Sequence, residues 1–100
     1  MKKNRDEIIN FISENRDILR ENYRVTRIAL FGSFARNDYN DKSDIDFIVE
    51  FEKGTENLFD VKYELREYLS NNLGRDIDLC REKYLKDHAR EKVMSEAIYV

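Results

Sequence analysis

One hundred residues, 41% hydrophobic and 39% charged, suffice for one folded domain with a real core, expected over residues 1–100, and leave no room for a second. Eighteen Lys and Arg against 21 Asp and Glu give a net charge of −3, which argues against a long nucleic acid as partner, because such a partner calls for a basic face. No apolar run approaches the roughly 18 residues of a membrane span, no signal peptide is visible and the single Cys80 forbids an internal disulfide, so the expected setting is the cytoplasm.

Asn4 to about Asn22 is predicted to be one helix, with Asn4 and Glu7 spaced as a capping box and Ile8, Phe11, Ile12 and Leu19 on one side. Thr26 to Phe31 is a predicted strand that ends at Gly32, and Ser33 to about Asn37 a short helix. A polar loop, Asp38 to Lys42, leads to a second strand over Asp44 to Phe51. Gly54-Thr55 opens the clearest helix, with Leu58, Val61, Leu65, Tyr68 and Leu69 on its apolar face and Gly74 as its C-terminal cap. Asp76 to Cys80 is a third strand with Cys80 in the core. Glu82 to about Glu96 is a last helix with Leu85, Ala89 and Val93 inward. Ala97 to Val100 is a short apolar ending, a strand or a packing segment. The alternation implies a small α/β or α+β domain with one mixed sheet of three to four strands packed by helices.

Asp44 and Asp46 stand two apart on the second strand, so both carboxylates point to one face, roughly 6.6 Å apart along the chain. Without the preceding Gly-Ser such a pair would be read as a solvated sheet edge. With it, the pair suits hard divalent cations such as Mg²⁺, and the apolar run Phe47 to Phe51 marks a mostly buried strand. A site for a pair of metals asks for a third carboxylate from another strand. Asp78, between Ile77 and Leu79, is favoured over Asp76, which follows the Gly74-Arg75 turn. Gly32-Ser33 at a helix start suits a phosphate, through close approach, backbone N–H groups and the Ser33 hydroxyl, and Arg36 lies one turn later to pair with phosphate oxygens. Metal-assisted chemistry on a nucleoside triphosphate follows. Ser43 is expected only to order its loop or cap the strand, and the lone His88 to be a surface residue.

GSFAR at 32–36, SDIDF at 43–47 running into VEF at 49–51, and DIDL at 76–79 together closely resemble the minimal nucleotidyltransferases, the small branch of the polymerase-β-like superfamily. The resemblance covers Ile28 to Leu79. It implies a palm-like domain in which Gly32 and Ser33 hold the triphosphate of ATP, Asp44 and Asp46 ligate two Mg²⁺ ions, and Asp78 completes the site and helps activate the attacking hydroxyl. One departure is Asn37, where the family commonly has glycine; asparagine tolerates the left-handed backbone, which would keep the turn. Members of the family are commonly antitoxins of HEPN-type RNase toxins, and the resemblance implies transfer of AMP from ATP to a tyrosine hydroxyl of the toxin. Such a small chain would rely on its acceptor for a docking surface, and a homo-oligomer is compatible with the sequence. The rivals are a non-catalytic binding module that neutralises its partner by contact, and a nucleotidyltransferase acting on RNA or a small molecule.

Overall fold

The computed structural model describes residues 3–100. The chain begins with α1 (Arg5–Glu14), where the capping box forms as expected: Asn4 Oδ1 accepts from the Glu7 N–H at 2.9 Å and Glu7 Oε1 from the Asn4 N–H at 3.0 Å. The expected single helix is broken at Asn15, and α2 (Arg16–Tyr23) follows as a separate element. The Asn15 side chain donates to the Phe11 carbonyl at 2.8 Å, and a side chain that competes for a helical carbonyl ends the helix there. Both helices still bury their apolar positions, Ile8, Ile12 and Leu19.

β1 (Val25–Phe31) runs into α3 (Gly32–Arg36), and β2 (Ile45–Phe51) returns antiparallel to β1. α4 (Leu58–Leu73) starts four residues later than the Gly54-Thr55 expected from sequence, because Gly54 and Asn57 both adopt left-handed backbone and hold 54–57 as a turn. Its apolar face is as expected and Gly74 caps it at φ 72°. α4 then serves as the crossover to β3 (Ile77–Cys80), which pairs parallel with β2.

The predicted helix from Glu82 is a single 3₁₀ turn (Glu82–Tyr84), two extended residues, and then α5 (Asp87–Glu96). The Glu50 carboxylate holds the Arg81 side chain at 3.1 Å and the Glu82 N–H at 3.0 Å, and Arg90 donates to the Leu85 carbonyl at 3.1 Å. Those bonds tie the segment to the sheet in a shape that a continuous helix could not take. Leu85, Ala89 and Val93 are half-buried, not core. The ending does form a strand: β4 (Ile98–Tyr99) pairs antiparallel with β1.

The sheet order is β3-β2-β1-β4. Alternation splits it into two unlike faces. Ile28 and Leu30, Ile45, Phe47, Val49 and Phe51, and Ile77 and Leu79 join the buried side chains of α1, α2, α3 and α4 in one apolar core. The opposite face carries Phe31, Asp46, Glu50, Asp78 and Cys80, with the buried Ala29 and Ile48 between them. The result is an α+β domain whose acidic residues emerge on the face turned away from the core.

Candidate active site

Gly32, Asp46 and Asp78 come together because three strands end side by side. Asp46 pairs in register with Phe31 on β1 and with Asp78 on β3, so the carboxylate of the central strand has the Gly32 turn on one side and a second carboxylate on the other. Asp44 lies just before β2, exposed; the Ile45 N–H bonds the Asp76 carbonyl at 2.9 Å, which carries the pairing one residue beyond the start of β3 and sets Asp44 and Asp76 at the same end. Asp78 is exposed but held within its strand, whereas Asp76 stands in the turn before it. The placement of Asp78 within the strand and Asp76 before it is the one expected from sequence, although both are exposed.

Gly32 has two reasons to be glycine. Its φ of +72° is left-handed, and a Cβ there would fall on the Asp46 carboxylate. The turn then closes through the Asp38 N–H to the Ser33 carbonyl at 3.0 Å and the Asn37 N–H to the Phe34 carbonyl at 3.2 Å. Asn37 adopts φ 64°, ψ 31°, so asparagine does keep the turn where the resembling family commonly has glycine. The half-buried Ser33 makes no side-chain hydrogen bond to another described residue, which leaves its hydroxyl able to donate. Arg36 is exposed and paired with Asp38 at 3.1 Å and Glu96 at 3.3 Å, fastening α3 to α5.

Burial, then the neighbouring Asp78 and Asp44, push the Asp46 carboxyl from 3.8 up to about 6, with Arg36 opposing. Among the described residues no three His, Cys, Asp or Glu side chains already converge tightly enough to hold an ion. The donor set nevertheless fits a hard divalent cation: Asp46 and Asp78 in register on one sheet face with Asp44 at the same end, all of them oxygen donors, and Asp46 burdened by burial and by the other two charges. Cys80 is on this acidic face, half-buried, and not in the core; burial first and Asp78 second push its thiol up. His88 is exposed on α5, as expected.

The raised Asp46 carries a pH dependence. Between about pH 4 and 6 the folded chain keeps a proton that the unfolded chain has lost, so stability falls as pH rises through that window and stays lower above it. In EDTA, the wild type is expected to lose stability relative to Asp46→Asn on moving from pH 4 to pH 7.5. Thermal melts of both proteins check this, and parallel pH profiles would refute it.

Arg75 was not picked out by sequence reasoning. It sits between the α4 cap and β3, and its Nη1 donates to the carbonyls of Asn40 and Ser43, both at 2.9 Å. Its guanidinium lies 4.8 Å from the Phe34 ring centroid and 5.6 Å from that of Tyr39, rings which themselves stack at 4.0 Å. The loop it grips is internally tied as well, with the Ser43 hydroxyl accepting the Asn40 N–H at 2.9 Å, so Ser43 does order its loop. The only signal in sequence was a cation directly after a helix-capping glycine. Beside this loop opens a cleft of about 480 Å³ lined by Ser43, Asp44, Ser70 and Asp76 among others.

Residues 12–100 match the nucleotidyltransferase domain family. A Thermococcus cleftensis protein named protein adenylyltransferase MntA is 35% identical over 95 residues, covering 95% of this chain and 94% of that one. A Methanocaldococcus jannaschii protein provisionally named a protein adenylyltransferase is 39% identical over 95 residues, covering 94% and 95%. A solved structure provisionally described as a minimal nucleotidyltransferase superposes with a TM-score of 0.79 at 27% identity, covering 96% of this chain and 95% of that one. A toxin–antitoxin crystallised with AMP-PNP shares the fold, with a TM-score of 0.63 at 24% identity over 97% and 72%.

Proposed function

Since the chain belongs to the nucleotidyltransferase domain family and is a nucleotidyltransferase, we propose that it transfers AMP from ATP to a tyrosine hydroxyl of a HEPN-type RNase toxin, as that toxin's antitoxin. The observation that carries the chemistry is the rung on which Asp46 faces Asp78 beside Gly32. The names of the relatives support protein as acceptor, and the shared fold of the toxin–antitoxin with AMP-PNP supports ATP and a toxin partner.

In this reading the triphosphate lies against the backbone of the Gly32-Ser33 turn, and the Ser33 hydroxyl donates to a phosphate oxygen. Arg36, paired with Asp38 and Glu96, would reach phosphate only by leaving them. Asp44, Asp46 and Asp78 would hold a pair of Mg²⁺ ions, which supply charge neutralisation at the phosphates and at the acceptor oxygen. Three carboxylates facing a polyanion would otherwise repel it. Asp78, on the edge strand and exposed, meets the acceptor and takes the proton of its hydroxyl. That oxygen bonds to the α-phosphorus as the bond to the β-phosphate oxygen breaks, and pyrophosphate departs.

The test is mass spectrometry of the toxin after incubation with the protein, Mg²⁺ and ATP. Asp78→Ala should eliminate the AMP adduct on tyrosine, and Asp76→Ala should leave its rate within a few-fold of wild type. An inactive Asp76→Ala beside an active Asp78→Ala would refute the assigned roles. Toxin neutralised by the wild type with no adduct would mean inhibition by contact alone.

A further inference from the structure

We propose that Arg75 is a positioning residue of the acidic site, holding Asp44 in place against Asp46 and Asp78; this rests on the reading of those three aspartates as the cation-binding set. Asp44 lies outside β2 at the end of the loop 38–44, where no strand pairing holds it, and its charge bears on the Asp46 carboxylate. The Arg75 Nη1 bond to the Ser43 carbonyl fixes the residue immediately before Asp44, and the bond to Asn40 fixes the start of the same turn. A cation–π contact with the fully buried Phe34, 4.8 Å from the ring centroid, adds a third hold on the guanidinium, so the clamp has little freedom. Through its own backbone Arg75 stands one residue before Asp76, whose carbonyl takes the Ile45 N–H, and three before Asp78. One side chain therefore connects the helix that follows Gly32, the loop that carries Asp44 and the strand that carries Asp78.

The clamp acts on metal geometry more than on the triphosphate, whose contacts lie at Gly32 and Ser33. Mn²⁺ binding to the free protein, read by electron paramagnetic resonance, tests this alongside transfer kinetics. Arg75→Gln should weaken Mn²⁺ binding by about tenfold and lower kcat by about 10²-fold, with KM for ATP changed by no more than about threefold, as expected when reacting groups are misplaced by about an ångström. Arg75→Lys, which keeps a cation that can donate but lacks the planar guanidinium, should fall between. A folded Arg75→Gln with wild-type Mn²⁺ affinity overturns the proposal, as does an equal loss in kcat and ATP affinity. If Arg75→Gln does not fold, Tyr39→Leu, which removes one ring of the stack, should show the same split in smaller measure, and unchanged Mn²⁺ affinity there overturns it. Wild type that binds Mn²⁺ and transfers nothing counts against the proposed reaction alone, while the titration still decides Arg75; wild type that binds no Mn²⁺ overturns both.

Discussion

Asp46→Asn is expected to stabilise the metal-free protein while abolishing transfer. At neutral pH the Asp46 carboxylate is charged although burial and two neighbouring aspartates raise its pKa to about 6, and that excess free energy is stored in the fold. At 1.36 kcal/mol per unit the full shift is about 3 kcal/mol, and solvent screening of a half-exposed group brings it to about 1–2 kcal/mol. For a domain of this size, that corresponds to a rise of roughly 5–10 °C in Tm for the amide variant. Transfer should fall by about 10³-fold or more, the several kcal/mol that a lost metal ligand removes from the transition state. Asp44→Asn makes the contrast: its carboxylate is exposed, so transfer is lost with little gain in stability. Melts in EDTA and an AMP-transfer assay on the same preparations check both variants. An Asp46→Asn protein less stable than wild type would show that the carboxylate is an asset to the fold.

Gly32→Ala should damage both the fold and the site. Left-handed backbone at an L-residue costs about 1–2 kcal/mol. The new Cβ also falls on the Asp46 carboxylate, which must give up its place between the Gly32 turn and Asp78. The expected result is a loss of roughly 5–15 °C in Tm together with loss of transfer. Gly54→Ala, where φ is also positive but nothing lies near the added Cβ, should show only the backbone cost and keep transfer. Equal transfer rates in the two variants would remove the steric argument.

Periodicity made the sheet and its acidic face readable in the sequence. Asp46 and Glu50 against Phe47, Val49 and Phe51 reveal which side of β2 faces the core, and Ile77 and Leu79 do the same around Asp78. What stayed hidden are the places where one side chain bonds a backbone group. Asn15 splits a helix that apolar spacing runs straight through, and Glu50 and Arg90 reshape the segment after β3; the late start of α4 comes instead from left-handed backbone at Gly54 and Asn57. Cys80 looked like core because its neighbours are apolar, yet the same alternation that exposes Asp78 sends its thiol to the acidic face. Arg36 shows the limit from the other direction: its pairing with Glu96, sixty residues away, leaves no trace in local spacing.

The parallel pairing of β2 with β3 also governs when the site can exist. β1, Gly32 and β2 are near neighbours in the chain and join as an antiparallel pair across one loop. Asp78 reaches Asp46 only after α4 has crossed over and docked, which closes a far longer loop. A nascent or partly opened chain can thus own its Gly-Ser turn and its first two aspartates without the third. β3 is a four-residue strand at the edge of the sheet, so a local opening that released it would take Asp78 away from Asp46 and dismantle the proposed site. The fold thereby makes catalytic competence a late and revocable property of the chain, tied to one short strand.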